Sequence, residues 1–313
     1  MSHLSMRDAF FNKLYDIAKS NRDIFVVSAD MGAPSLDRFR SDLGPQFINV
    51  GIAEHNMVTV ATGLALEGKK CYLYAIMPFV TSRCYEMIKV DMSLMNLPIT
   101  AVGVGSGFSY DDSGPTHHST EDVSIMRVLP HMTILNSSDS VMASRFAEMT
   151  VTLEGPSYVR LDREAVPPLY PPGETFQEGH FVHHEGRDLL IIATGTIIRR
   201  ALVVREDLRE KGVDAGVIDL YRLKPLNEEA LVKLIAAVPA VVTLEEHLLA
   251  GGLGSILAEL MADSGILKPL VRVGIKDRYY YAYGGRNNIH GICGIDREAV
   301  VDKICSSLPA GRH

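Results

Sequence analysis

Residues 51–68 read GIAEHNMVTVATGLALEG, a largely apolar run that contains a carboxylate, Glu54, close to its start. Small and aliphatic side chains follow that carboxylate until the run ends at Gly68. The pattern is typical of a buried helix that is ended by a C-terminal glycine. An acidic residue in the first turn of a helix is stabilised by the helix dipole, so a purely structural role is the default interpretation of Glu54. Other motifs of the chain decide whether Glu54 also has a chemical role.

The segments on either side of this helix alternate between strand-length and helix-length patterns. Apolar runs at 24–28 and 71–75 predict strands, and the patterns at 7–20 and 79–94 predict helices. The same alternation restarts with LLIIA at 189–193. Strands separated by helices favour parallel sheets that are covered on both faces. The predicted fold class is therefore α/β, with two domains and mainly parallel sheets.

A proline-rich segment separates the two sets of elements. Residues 165–175 read AVPPLYPPGET, and four prolines with one glycine cannot form a central strand or a helix interior. The 313 residues are enough for two domains that each bury a core. The sequence therefore predicts a first domain at 1–165, a linker at 166–187 and a second domain at 188–313.

The composition is that of an ordinary globular protein, and it excludes several classes of partner. Hydrophobic residues make up 47% of the chain and charged residues 22%, with a formal net charge of −7. A negative chain has no electrostatic attraction for nucleic acid or an anionic membrane surface, and no apolar run is long enough to span a bilayer. The four cysteines form no CxxC motif, and the N-terminus shows no secretory signal. We therefore expect a cytoplasmic protein without nucleic-acid or membrane partners.

Two glycine-rich segments resemble nucleotide-binding loops without completing a motif. Residues 103–108 (GVGSGF) and 251–256 (GGLGSI) lack the last glycine of GxGxxG, and no P-loop sequence occurs. Turns after strands explain these glycines better than a nucleotide site does. The segment at 110–122, YDDSGPTHHSTED, is more informative because it follows a predicted strand, where open parallel sheets bind ligands. Adjacent histidines on a loop rarely bind one metal ion, so solvated loop histidines are the default there.

The paired motifs GIAEHNMV at 51–58 and GPTHH at 114–118 resemble the transketolase and 1-deoxyxylulose-5-phosphate synthase group of thiamine diphosphate enzymes. The resemblance covers nearly the whole chain. The first domain is similar to the pyrimidine-binding domain of the group. The second is similar to its C-terminal domain through the segments LLIIATGTIIRRAL, IDLYRLKPLN and LEEHLLAGGLGS.

A missing motif is equally informative, because the group binds the cofactor's diphosphate and Mg²⁺ in a separate N-terminal domain through GDG followed by Asn. This sequence contains no GDG. The resemblance therefore implies the C-terminal subunit of a split transketolase, with thiamine diphosphate and Mg²⁺ as cofactors. It also implies no metal ligands on this chain, a partner subunit that carries the Mg²⁺ ligands, and an α2β2 assembly.

The resemblance implies cofactor-binding roles for four residues. Glu54 matches the carboxylate that hydrogen-bonds N1′ of the aminopyrimidine, which favours the imino tautomer so that N4′ can act as the base toward thiazolium C2. Phe79 in PFVTSRCYE matches an aromatic residue that packs on the pyrimidine. Ile76 falls where the group has a further stacking aromatic residue, and Arg83 is assigned to the same cofactor site.

The resemblance also implies substrate-binding residues. His117 matches a catalytic histidine that hydrogen-bonds the substrate oxygen near the reacting carbon. Ser113 stands where relatives often have an aspartate that contacts a donor hydroxyl, and a phosphate-binding histidine falls on Gly105. The remaining positions that hold a sugar phosphate match three residues: Arg7, Ser35 and Arg163. Ordinary surface positions are the alternative for these three, above all for Ser35.

The predicted function is transfer of a two-carbon ketol unit between a ketose and an aldose, as sugars or sugar phosphates. One alternative is the beta subunit of a thiamine-dependent 2-oxoacid dehydrogenase component, which the two paired motifs oppose. Another is a non-catalytic regulatory subunit, which Glu54 and His117 oppose. The segment YYYAYGGRNNIHG at 279–291 departs from the family pattern, and an interface or a substrate-gating loop are the roles considered for it.

Overall fold

Two β-sheets organise the computed structural model, which describes residues 3–307. The strands are β1 (Ile24–Ser28), β2 (Phe47–Asn49), β3 (Lys70–Ile76), β4 (Ile99–Val104), β5 (Thr133–Asn136), β6 (Ser157–Leu161), β7 (Phe181–His184), β8 (Leu189–Ala193), β9 (Ala215–Asp219), β10 (Arg222–Lys224), β11 (Val241–Leu248) and β12 (Leu270–Ile275). The first sheet has the order β10-β5-β6-β4-β3-β1-β2 and the second has the order β12-β11-β8-β9-β7. Within each sheet one edge strand, β10 or β7, is antiparallel and the other strands are parallel.

Helices connect the strands and cover the sheets. They are α1 (Met6–Ala18), α2 (Pro34–Asp42), α3 (Glu54–Leu66), α4 (Met77–Val80), α5 (Tyr85–Met87), a π-helix (Ile88–Leu94), α6 (Asp122–Arg127), α7 (Ser140–Thr152), α8 (Ile198–Glu210), α9 (Glu228–Ala236), α10 (Leu253–Asp263), α11 (Arg286–Cys293) and α12 (Arg297–Ser307). Alternate residues of β3 enter separate cores, because Leu73 packs with α3 whereas Tyr72 and Tyr74 pack with α1. The predicted α/β class with mainly parallel sheets is confirmed.

The predicted linker at 166–187 contains a strand. β7 pairs antiparallel with β9 and forms an edge of the second sheet. Two aromatic residues of the predicted linker, Tyr170 and Phe176, are buried in the core that lies beneath α1. The segment is therefore packed against the protein along much of its length, and the limits of the two domains stay a prediction.

The single helix predicted over 79–94 is wrong, because the chain breaks after α4. The Thr81 hydroxyl donates to the carbonyl of Met77 at 2.7 Å, and Thr81 itself has φ −117° and ψ −85°. The helix resumes at Tyr85 and widens into the π-helix. Such widened turns are frequent at functional sites. The break brings Arg83 towards the start of α3, where it contacts Glu54.

The two sheets are linked by a strand exchange that the sequence pattern does not indicate. After β9 of the second sheet, the chain crosses to the first sheet and pairs β10 antiparallel with β5. Lys224 then donates to the carbonyl of Leu129 at 2.5 Å, which fixes this edge. The second half of the chain thus completes the sheet of the first.

The helix predicted from residues 51–68 is confirmed as α3. It begins at Glu54, and Gly68 follows its end with φ +79°, a conformation that favours glycine. Its inner face, including Met57, Val58 and Ala61, is fully buried. Within residues 3–307, no helix has the length and apolar character needed to cross a membrane.

Candidate active site

The residues singled out from the sequence lie near the carboxyl ends of the strands of the first sheet. Ser35 follows β1, Glu54 follows β2, and Ile76 ends β3. The loop after β4 contains His117, and Arg163 follows β6. Carboxyl ends of parallel strands meet at one edge of a sheet, which is where such sheets bind ligands. The topology therefore collects these side chains from five separate segments.

Glu54 is buried at the first position of α3, with 7% of its side chain exposed. Arg83 Nη1 donates to Glu54 Oε1 at 2.5 Å, and the guanidinium carbon of Arg83 lies 3.8 Å from the centroid of the Phe79 ring. Within residues 3–307, Oε2 of Glu54 accepts no hydrogen bond. The bond from Arg83 to Oε1 is a charge-assisted hydrogen bond. The second oxygen therefore stays free to accept an N–H group from a ligand.

His117 lies beside this group. Its ring is 5.3 Å from that of Phe79 in an edge-to-face arrangement and 6.0 Å from that of Tyr110. Nδ1 of His117 is 3.0 Å from the Thr116 hydroxyl, which fixes the orientation of the half-buried imidazole. This leaves Nε2 as the nitrogen that can exchange a hydrogen bond with a substrate oxygen.

Tyr110 is a site residue that the sequence analysis missed. Its ring fills the space next to Gly105, where an added Cβ would lie 2.3 Å from Cε2 of the ring. The guanidinium of Arg163 lies over the same ring at 4.8 Å, and its Nη1 is 3.7 Å from a carboxylate oxygen of Asp112. Burial raises the pKa of Tyr110, although the positive charges of Arg163 and Arg7 oppose the shift. The Tyr110 ring therefore fills the space beside Gly105, the position on which a phosphate-binding histidine of the related enzymes falls.

Arg7 and Ser35 both donate hydrogen bonds to a third residue, Asp8. Arg7 donates from Nε and Nη2 to the two oxygens of Asp8 at 3.1 Å, and the Ser35 hydroxyl donates to Asp8 Oδ1 at 2.8 Å. Burial alone would raise the pKa of Asp8, but the hydrogen bonds from Arg7, Ser5 and Ser35 hold it below its usual value. With 3% of its surface exposed, Ser35 is no ordinary surface residue. Its hydroxyl proton is already used within the protein.

Two predicted residues lie apart from these contacts. Ser113 is exposed and donates to Asp112 Oδ1 at 2.9 Å. Ile76 is half-buried at the end of β3 and offers the site only an aliphatic surface. In the part of the chain that the structure describes, no three His, Cys, Asp or Glu residues are grouped so that they could hold a metal ion.

Family models cover most of the chain. The model described as the transketolase pyrimidine binding domain matches residues 2–168, and that of the transketolase C-terminal domain matches residues 180–300. The chain belongs to the transketolase family. This confirms the resemblance to thiamine diphosphate enzymes that the paired motifs indicate. The first match contains β1 to β6 and the second contains β7 to β12.

Transketolase relatives of similar length match the whole chain. One subunit of the apulose-4-phosphate transketolase of Phocaeicola vulgatus is 33% identical over 304 residues, which cover 95% of each protein. The putative transketolase C-terminal section of Methanocaldococcus jannaschii is 31% identical over 307 residues, covering 97% of this chain and 96% of the relative. A solved structure described as a split gene transketolase, inactive beta4 tetramer, is 30% identical with a TM-score of 0.88, covering 99% of this chain and 100% of that one.

The residues of the candidate site fit the pyrimidine end of thiamine diphosphate. Glu54 is a buried carboxylate with one free oxygen. Arg83 contacts both Glu54 and the aromatic ring of Phe79, so it links the two residues. Arg83, the hydrogen-bond partner of the carboxylate, has 41% of its side chain exposed. An aminopyrimidine needs both a hydrogen-bond acceptor and a flat apolar surface, and these residues supply them.

Proposed function

We propose that this chain is the C-terminal subunit of a split transketolase that transfers a two-carbon ketol unit from a ketose to an aldose. The observation that carries the proposal is the group formed by Glu54, Arg83, Phe79 and His117 at the carboxyl edge of the first sheet. Relatives that match the whole chain support it, since they are described as transketolase subunits or C-terminal sections. Thiamine diphosphate supplies the carbanion chemistry of such a transfer when it is bound.

The residues of this chain would hold and orient the reacting groups. Glu54 would accept the pyrimidine N–H on Oε2, while Arg83 holds the carboxylate in place through Oε1. Phe79 would present its ring to the pyrimidine, with Ile76 adding aliphatic surface. His117 would hold or move a proton at the substrate oxygen through Nε2. Ser113 would offer a neutral hydroxyl to the donor sugar.

The phosphate of a sugar phosphate would meet a site with two arginines. Arg7 and Arg163 can each offer parallel donors, although Asp8 already pairs with Arg7. Ser35 can contribute only lone pairs or a rearranged hydroxyl, because its proton bonds to Asp8. The ring of Tyr110 lies against the guanidinium of Arg163, 4.8 Å from its centroid. We infer that sugar phosphates are accepted, with a weaker dependence on phosphate than a complete set of charged ligands would give.

A partner subunit would complete the site. The chain lacks a GDG motif, so we infer that an N-terminal subunit binds the diphosphate and Mg²⁺ in an α2β2 assembly. Exposed apolar side chains around α3 support such an interface: Ile52 is 81% exposed, Leu66 is 59% exposed and Leu94 is 76% exposed. The similar split gene transketolase is described as inactive as a beta4 tetramer, and we propose that this chain is also inactive by itself. A cytoplasmic location stays a prediction.

The proposal is tested on the chain co-purified with an N-terminal transketolase subunit. A ketose phosphate labelled with ¹³C at C1 and C2 is incubated with an unlabelled aldose, and the products are followed by NMR. We expect the two labelled carbons to appear together in a new ketose. Release of CO₂ from 2-oxoacids without any such transfer would instead support the 2-oxoacid dehydrogenase alternative.

Replacing Arg163 with alanine is expected to reduce the preference for phosphorylated substrates. Loss of one charge-assisted hydrogen bond costs about 1.5–3 kcal/mol, which is roughly a ten- to hundred-fold loss in kcat/KM for a phosphorylated acceptor. The unphosphorylated counterpart should change much less. The measurement is the ratio of kcat/KM for the two acceptors in the assembled complex.

The matched control is Arg187→Ala, because Arg187 lies between β7 and β8 with 88% of its side chain exposed. It should leave the ratio unchanged. If phosphate makes no difference in the wild type, or if Arg163→Ala and Arg187→Ala behave alike, then Arg163 is not a phosphate ligand.

A further inference from the structure

The loop that follows β4, residues 105–109, is inserted into the second domain. Phe108 is 1% exposed and packs within the core of the second sheet, with its ring 5.8 Å from that of Tyr280. Gly107 has φ +58°, and an added Cβ would lie 2.5 Å from Cδ of Glu246. The loop thus touches the second domain so closely that no side chain fits at Gly107.

Arg286, the first residue of α11, joins two buried carboxylates beneath this loop. It contacts Glu246 through Nε at 3.0 Å and Nη2 at 2.6 Å, and Asp162 through Nη1 at 3.1 Å and Nη2 at 2.7 Å. Only 10% of the Arg286 side chain is exposed. Burial by itself would raise the pKa of Asp162 and of Glu246, but the charge of Arg286 outweighs it and holds both below their usual values. One guanidinium therefore pairs with an acid from each domain.

The same two carboxylates hold the loop. Ser106 and Ser109 donate to Asp162 at 3.0 and 2.6 Å, and the backbone N–H of Phe108 donates to Glu246 at 2.9 Å. The backbone N–H of Arg163 in turn donates to the Ser109 hydroxyl at 3.1 Å. The loop and the backbone of Arg163 are therefore fixed by acids whose own positions depend on Arg286.

The loop at 105–109 is followed in the chain by a residue that contacts the proposed substrate-binding residues. Tyr110 comes next in the chain and contacts both His117 and Arg163. Glu54 and Arg83, by contrast, lie on α3 and after β3, outside the contacts of Arg286. A shift of residues 105–109 would therefore move the substrate ligands and leave the cofactor ligands in place.

We propose that Arg286 is a positioning residue that holds His117 and Arg163 in place for the substrate through the loop at 105–109. The inference rests on the proposed function, and it assigns a role to the segment 279–291, which departs from the family pattern. The planar fork of arginine is essential to this role. It offers two N–H groups to each carboxylate, and a lysine ammonium does not have this geometry.

The test uses Arg286→Lys, which keeps the positive charge between the buried acids, since its loss would destabilise the fold. In the assembled complex we expect kcat/KM for the donor to fall about tenfold or more, because a misplacement of about 1 Å in positioning groups can cost about 10²-fold. The C2 proton exchange of bound thiamine diphosphate should not change. Ser109→Ala, which removes a loop contact without altering charge, should act in the same direction.

A second readout does not depend on activity. In the full chain, the imidazole NMR signal of His117, assigned with His117→Gln, should shift or broaden in Arg286→Lys, whereas that of the exposed His55 on α3 should not. The matched control is Arg297→Lys, which alters a surface pair with Asp207 in the same domain. An unchanged His117 signal, or equal losses in donor turnover and C2 exchange, would overturn the inference. A wild-type complex that fails to transfer ketol units would overturn the proposed function, while the His117 signal would still decide the role of Arg286.

Discussion

Replacing Glu54 with glutamine is expected to slow C2 proton exchange of bound thiamine diphosphate by roughly ten- to hundred-fold in the assembled complex. The loss corresponds to one charge-assisted hydrogen bond of about 1.5–3 kcal/mol. The structure gives the reason, because Arg83 already occupies Oε1 of Glu54. A glutamine would keep its oxygen on Arg83 and turn its NH₂ group towards the ligand. A donor would then face the pyrimidine N–H, where an acceptor is needed.

The matched control for this prediction is Glu67→Gln, an exposed acid just beyond the other end of α3. Both variants should unfold at the temperature of the wild type to within a few degrees, since neither removes a core side chain. If exchange is unchanged in Glu54→Gln, or falls equally in Glu67→Gln, the proposed role of Glu54 is wrong. Ketol transfer that persists while exchange is lost would also contradict it.

The elements with clear periodicity could be predicted from the sequence. α3 and the strands β1 and β3 follow from apolar runs of the right length, and Gly68 marks the end of the helix. The break inside 79–94 could not be predicted, because its apolar spacing continues although the Thr81 hydroxyl bonds to the Met77 carbonyl and the backbone leaves the helical conformation at Thr81. Such local competition from a side chain overrides periodicity.

Contacts between segments that are distant in the chain could not be predicted from the sequence. β10 is three residues long and joins a sheet formed by the other half of the chain, so no local pattern indicates its partner. Arg286 lies 124 positions from Asp162, so no local sequence pattern indicates that the two residues form an ion pair. Tyr110 likewise needs the three-dimensional structure, because its place beside Gly105 depends on the turn of the loop. The paired motifs indicate Glu54 and His117 as candidates, whereas the surroundings of Tyr110 and Arg163 depend on contacts between distant segments.

The isolated chain is expected to bind thiamine diphosphate only weakly and to show no ketol transfer. Its proposed contribution to cofactor binding is one charge-assisted hydrogen bond at Glu54 and packing on Phe79. Together these are worth about 3–4 kcal/mol, which corresponds to a Kd of about a millimolar. Mg²⁺ prefers several oxygen ligands in octahedral geometry, and residues 3–307 contain no group of acidic or histidine residues that could hold it. Addition of Mg²⁺ should therefore not tighten binding.

Calorimetry on the isolated chain and on the complex with its N-terminal partner, each with and without Mg²⁺, checks this prediction. Only the complex should bind tightly, and only with Mg²⁺, because we propose that the partner holds the diphosphate. Glu54→Gln in the complex separates the two ends of the cofactor. It should keep the Mg²⁺ dependence, since the diphosphate contacts remain, while C2 exchange falls. Tight Mg²⁺-dependent binding to the isolated chain would contradict the division of the cofactor site between two subunits.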